Sequence, residues 1–236
     1  MTFGVVGLDP AQFEVNGDEV VVRQSQSDLT EFIEDFSGLS GFALELTADP
    51  ELRAQCDFID GIAKRVGVID TVAFQPAGAS QLVVGFAALP GALGRAMTDV
   101  LAKHSGKRDV ATTAVIVGAG ERAGCAIAAA VQHGYTSIVI ASDEPGVAVG
   151  AAHRMDLDVD MVRLASLEGA HIDLLINTLD ERVSATPRAV CDFTGAWEGF
   201  DGMYVSPQLI TAHQRQDQIR VLTGKSPQLE DLMVIG

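Results

Sequence analysis

The 236-residue chain carries 32 acidic against 16 basic side chains, a formal net charge of −16, which excludes a general nucleic-acid binder because such proteins need positive charge to displace counterions from phosphate. With 47% hydrophobic and 20% charged residues it is too apolar for a disordered chain and long enough for one large or two small domains. No run approaches the ~18 uninterrupted apolar residues of a membrane span, and MTFGVVGLDPAQFEV has neither the basic nor the apolar part of a secretory signal, so a cytoplasmic location is expected.

Short strands alternating with helices are predicted for the first hundred residues. EVVVRQ from Glu19 is a β-branched run, and SDLTEFIEDFSGL opens on Ser27 as an N-cap with Leu29, Phe32, Ile33 and Phe36 at helical spacing. GFALELTA alternates apolar with polar, and DPELRAQCDFIDGIAKRVG begins with the helix-start pair Asp49 and Pro50. VIDTVAFQ and QLVVGFA predict two strands joined through Pro76, Ala77 and Gly78, and LPGALGRAMTDVLAKHSGKRD predicts a helix running into a polar joint at residues 103–110. From Thr112 the pattern is regular: TTAVIV is a strand, an alanine-rich helix closed by Gly134 follows the glycine turn, and YTSIVIA, VDMVRLASL, HIDLLINTL and AVCDFTGA are further strands. Apolar strands alternating with helices argue for a parallel sheet covered on both faces. Cys56, Cys125 and Cys191 are dispersed without CxxC spacing and the five histidines form no ligand pair, so buried thiols and no metal site are expected.

GAGERA, Gly118 to Ala123, fits G-x-G-x-x-G/A between a predicted strand and a helix. Gly118 permits the tight turn, Gly120 lets the backbone approach a pyrophosphate, and Ala123 lets the helix pack close to the strand. The helix N-terminus then offers free N–H groups and partial positive charge to the phosphates, against which Glu121 adds a negative charge. The next strand ends at Ser142 and Asp143, 20 residues past Ala123, where a carboxylate accepts hydrogen bonds from a ribose and repels a 2′-phosphate. NAD is therefore favoured over NADP.

Read in order, the segments LELTADPE, KRVGVIDTV, VVGFAALPGALGRAM, AVIVGAGERAGCA, DLLINTL and LTGKSPQLEDLM resemble the successive motifs of the shikimate dehydrogenase family, from about Asp28 to the C-terminus. The resemblance implies an α/β protein with a Rossmann doubly wound parallel sheet at 107–215, plus an N-terminal α/β substrate-type domain at 1–103 on which a C-terminal helix at about 220–236 packs back. It implies NAD(P)-linked interconversion of 3-dehydroshikimate and shikimate, or of a related ring hydroxyacid. Cofactor binding would fall to Gly118, Gly120, Ala123, Ser142, Asp143 and Thr178, and substrate binding to Thr47 and to Gln214, with Gln208 competing.

The family's lysine and aspartate, which handle the hydroxyl proton, are replaced. The lysine of T-x-P-H-K falls on Glu51, the aspartate of N-T-D on Leu89 and the asparagine of V-N-T on Asp70, and no lysine precedes Lys64. The S-x-S loop that holds the substrate carboxylate has no counterpart, and no arginine follows Ser142 to clasp a 2′-phosphate. The chain thus reads as a trimmed relative with little or no such activity. Two alternatives stand beside it: a nucleotide-sensing or interaction protein, and an enzyme for another substrate using Glu51 or Asp70. The expected partner is a small-molecule ligand, with a homodimer allowed and no nucleic acid or membrane. Trp197, Tyr204 and the basic group Lys103, His104, Lys107 and Arg108 are read as packing and solvated joint.

Overall fold

β-Branched and aromatic runs form the first three strands, Thr2–Val6 (β1), Glu19–Arg23 (β2) and Gly41–Thr47 (β3), with β1 parallel to both others. The computed structural model describes residues 1–14, 17–23, 38–78, 80–101, 113–144 and 146–233. The helix expected from Ser27 and the joint at 103–110, with its basic group, lie outside them. The chain divides into two compact units. The first is Met1–Lys64, Val68–Leu89 and Ala212–Gly236; the second is Arg65–Gly67 and Pro90–Thr211.

In the first unit a hairpin of Ile69–Ala77 (β5) and Ser80–Phe86 (β6) joins β3 antiparallel, and the sheet order is β2-β1-β3-β5-β6-β4, with Phe58–Ile59 as β4. Alternation along the strands sends Phe42 and Leu44 to one face with Leu52, Ile69, Val72 and Phe74. It sends Phe3, Val5 and Ala43 to the other with Phe13, Ile219, Leu222 and Leu232. The stretch that opens on the helix-start pair Asp49 and Pro50 forms Pro50–Ala54 (α1), then β4, then Gly61–Val66 (α2). Its acidic residues explain the break. The Asp57 carboxylate takes the Val83 N–H at 2.8 Å, docking β4 beside β6, and Asp60 accepts from Ile62 N at 2.9 Å to start a new helix.

The far end of the chain closes this unit. After Leu89–Leu101 (α3) and the second unit, Pro207–Thr223 (α6) and Leu229–Met233 (α7) follow, and Lys225 between them donates to both oxygens of Asp18 at 2.7 and 2.9 Å. The Lys225 bond, then the bond from the Met1 ammonium, hold the Asp18 carboxyl below its ordinary value. A depressed carboxylate stabilises the fold above its unfolded pKa, and that stabilisation is lost as pH falls through the folded value. Lys225→Met is therefore expected to lower the melting temperature at neutral pH and to flatten the decline on acidification below about pH 4. Identical pH slopes for the two proteins in thermal melts would rule this clamp out.

The second unit's sheet is wholly parallel, with order β12-β11-β10-β7-β8-β9. Thr113–Val117 (β7), Glu121–Gln132 (α4), Ser137–Ala141 (β8), Val147–Arg154 (α5) and Asp160–Val162 (β9) make one half. Ala170–Asn177 (β10), Ala185–Asp192 (β11) and Met203–Val205 (β12) make the other. The order reverses between β7 and β10, the switch point at which α/β sheets bind ligands. The strand expected over VDMVRLASL ends early: β9 gives way to a 3-10 turn at Leu164–Leu167, where the Asp143 carboxylate takes the Leu164 N–H at 3.3 Å. Sequence reading also passed over α5 and β12.

No helix links β10 to β11 or β11 to β12. Residues 193–202 instead carry Trp197, fully buried against Val115, Val117, Leu175 and Val190, so a loop covers the sheet face that a crossover helix ordinarily covers. Asp192, also fully buried, holds that loop. Its Oδ1 accepts from Asn177 Nδ2, Thr194 N and Thr194 Oγ1, each at 3.2 Å, and its Oδ2 from Trp197 N at 2.7 Å and Tyr204 Oη at 3.2 Å. Trp197 and Tyr204 are packing residues, as read from the sequence. No helix among the described residues is long and apolar enough to cross a membrane.

Candidate functional site

The glycine turn stands at the C-terminal end of β7, beside the switch point. Gly118 has φ +103°, and a side chain there would collide with the Thr178 hydroxyl. Only glycine meets both demands. Thr178 is fixed in turn by two bonds to the Val117 carbonyl, from its N–H at 3.1 Å and its hydroxyl at 2.7 Å. The sequence places Thr178 among the cofactor residues; its hydroxyl proton is committed to the strand end, so it positions the turn.

Gly120 begins α4 without a side-chain cap, and a Cβ built on it would meet nothing within 4 Å. The space beside Gly120 is thus open and no side chain caps the first turn of α4, whose amides are the kind of donor set a pyrophosphate requires. Ala123 is fully buried, and Gly124 behind it brings α4 so close to α5 that a Cβ there would lie 3.3 Å from the Ala151 methyl. The turn is braced from α5 as well: Ala148 N donates to the Ala119 carbonyl at 2.9 Å, and a side chain at Gly146 would strike that oxygen.

At the end of β8, Asp143 is exposed, and its bond from Leu164 N leaves carboxylate acceptors free. Ser142 is used within its own turn, donating to the Glu144 carbonyl at 2.7 Å and accepting from Glu144 N at 3.3 Å. No basic side chain occupies the stretch Ser142–Glu144.

In the first unit two of the predicted positions, Leu89 and Gln214, meet at Asp70, which is fully buried on β5. Asp70 Oδ1 accepts from Thr71 Oγ1 at 2.9 Å and Ala88 N at 2.8 Å, and Oδ2 from Leu89 N at 2.9 Å and Gln214 Nε2 at 2.8 Å. Burial is the largest influence on its carboxyl and pushes it up against those bonds. All four acceptor positions are filled, so Asp70 caps the start of α3 and has no lone pair left for a substrate proton. Gln218 Nε2 adds a bond to the Asp70 carbonyl at 2.7 Å.

The replaced dyad positions carry one carboxylate and one apolar side chain. Glu51 lies exposed in the first turn of α1, and Leu89 is buried with an apolar side chain. Thr47 ends β3, with its hydroxyl accepting from Asp49 N at 3.1 Å. Gln214 is the glutamine tied to this group, whereas Gln208 is exposed in the second unit. Sequence reading passed over Arg215 and Gln218, which are buried on α6 within the polar run HQRQDQ. The signal was there: six consecutive polar residues in a helix cannot all face solvent.

No protein-family model matches the chain, and no curated protein sequence matches it. Solved structures do. The quinate dehydrogenase of Corynebacterium glutamicum in complex with NAD superposes with a TM-score of 0.77 at 19% identity, covering 100% of this chain and 98% of that one. The shikimate 5-dehydrogenase of Thermus thermophilus in complex with shikimate gives 0.76 at 17%, covering 100% and 97%. The 5-ketofructose reductase of Gluconobacter sp. strain CHM43 gives 0.76 at 13%, again covering 100% and 97%. The polypeptide therefore has the shikimate dehydrogenase-like fold, with a Rossmann-type second unit.

Proposed function

We propose that this protein binds NAD through the turn from Gly118 to Ala123, and that it lacks the acid–base pair needed to oxidise shikimate or quinate at an ordinary rate. The observation that carries the reading is Gly120, which has open space beside it and starts α4 without a side-chain cap. Within this reading the amides of α4 hold the pyrophosphate and Asp143 accepts from the adenine ribose. The bound nicotinamide would supply a hydride acceptor. The matched quinate dehydrogenase was solved with NAD, and a Thermus shikimate dehydrogenase with NADP(H) and shikimate, which supports a nicotinamide dinucleotide as the ligand class.

Calorimetric titration tests this directly. NAD is expected to bind about tenfold or more tightly than NADP, because the Asp143 charge opposes a 2′-phosphate. Gly120→Val has an ordinary φ of −76° and empty space around it, so it folds with unchanged melting temperature while its branched side chain blocks the pyrophosphate. Binding of neither dinucleotide, tighter NADP binding, or undiminished NAD binding to Gly120→Val would each overturn the assignment.

A further inference from the structure

Arg122 is the second residue of α4, beside the open space at Gly120, and it is exposed. Side chains on a helix tilt toward its N-terminus, so one in the first turn leans back over the glycine turn. Among the described residues Arg122 makes no hydrogen bond or ion pair; its guanidinium carbon lies 6.0 Å from the centroid of the Phe193 ring. Phe193 stands one residue past β11, and its N–H donates to the Asn177 carbonyl at 3.0 Å. Val117, Asn177 and Asp192 lie side by side at the ends of β7, β10 and β11. Adjacent strands are ~4.8 Å apart, so Arg122 reaches from the helix after β7 over the carboxyl end of β10 to that of β11, across the switch point.

The charge around it is the second argument. The segments that end the four central strands, residues 118–123, 142–144, 177–180 and 192–195, hold Glu121, Asp143, Glu144, Asp180 and Asp192 and a single basic residue, Arg122. Both phosphates of a dinucleotide would bring further negative charge to this surface, and helix amides offer only partial positive charge against it. A guanidinium at the ~6 Å limit of a cation–π contact on an exposed side chain is weakly held and exchanges at little cost for a charged partner. We propose that Arg122 is a pyrophosphate-binding residue, which leaves the Phe193 ring and pairs with the phosphate oxygens when a dinucleotide enters. This assignment rests on the dinucleotide reading above. It gives that site the full positive charge that the glycine turn itself lacks.

The test is calorimetric titration of the full-length chain with NAD and with ADP-ribose, each at about 50 and about 200 mM salt. Arg122→Gln exchanges one exposed helix-compatible side chain for another, so it is expected to fold with unchanged melting temperature. It is expected to bind both ligands about tenfold more weakly than the wild type, and its affinity is expected to fall less steeply with salt. Arg122→Lys keeps the charge without the planar fork and is expected to recover part of the loss. Equal loss for NAD and ADP-ribose supports contact with the pyrophosphate, which the two ligands share. A loss confined to NAD would place Arg122 against the nicotinamide half and overturn the assignment. Undiminished binding by Arg122→Gln, or an unchanged salt dependence, would overturn it while leaving the dinucleotide site standing. A wild-type chain that binds neither ligand would overturn both readings together.

Discussion

Given NAD and either shikimate or quinate, the protein is expected to reduce the dinucleotide about 10²–10⁴-fold more slowly than a dehydrogenase with a positioned acid and base. Hydride departure from a carbinol carbon requires its hydroxyl proton to leave in step, and a group with a free acceptor must stand within hydrogen-bond reach. The position that would hold a lysine is the exposed Glu51, and the position that would hold an aspartate is the buried Leu89. Asp70 is ionisable and central, yet its four acceptor sites already receive Thr71, Ala88, Leu89 and Gln214. Steady-state assays of NADH formation at saturating dinucleotide check this. A turnover near the ~10 s⁻¹ typical of enzymes would mean that another group carries the proton.

Asp192→Ala is expected to cost about 3–5 kcal/mol of stability, because it strips a buried acceptor from four residues at once. Asn177 keeps its bond to the Leu179 carbonyl and Thr194 its bond to the same oxygen, both at 2.7 Å, but Trp197 N and the Tyr204 hydroxyl lose the carboxylate they donate to. Two local signals accompany the loss. The single tryptophan, now fully buried, would shift its emission to longer wavelength as the 193–202 loop loosens. The Tyr204 phenol, pushed up to about 12 by burial and then by the charge of Asp192, would titrate closer to 10. Urea unfolding with a loss below about 1 kcal/mol would show that the loop is held by apolar packing alone.

The second unit was largely legible because its signals are local. A β-branched run, two glycines and an alanine at fixed offsets, and a carboxylate at the end of the next strand are neighbours in sequence, and β7, α4 and β8 appear where those signals stand. The first unit was less so. Leu52, Cys56 and Ala63 suit a continuous helix, and what breaks it is a bond from Val83 to Asp57 across 26 positions. Arg215 and Gln218 look like solvated helix residues until Gln12 and Asp70 are brought to them from 203 and 148 positions away. The glycine-rich segment after Asp192 reads as an ordinary loop; that it replaces a helix follows only from the sheet face it covers.

The division of the chain also has a consequence for synthesis. The second unit's sheet is complete once Thr211 has left the ribosome, with every strand drawn from the interval Thr113–Val205. The first unit, begun earlier, lacks Ile219, Leu222 and Leu232 of its core and the partners of Gln12 and Asp18 until the last stretch emerges. Its contacts between opposite ends of the chain are those that close most slowly. The N-terminal sheet therefore waits with one apolar face uncovered while the later-made unit folds ahead of it, and a nascent chain halted with Thr211 just outside the exit tunnel and Ala212 onward still inside would carry one finished unit and one unfinished one.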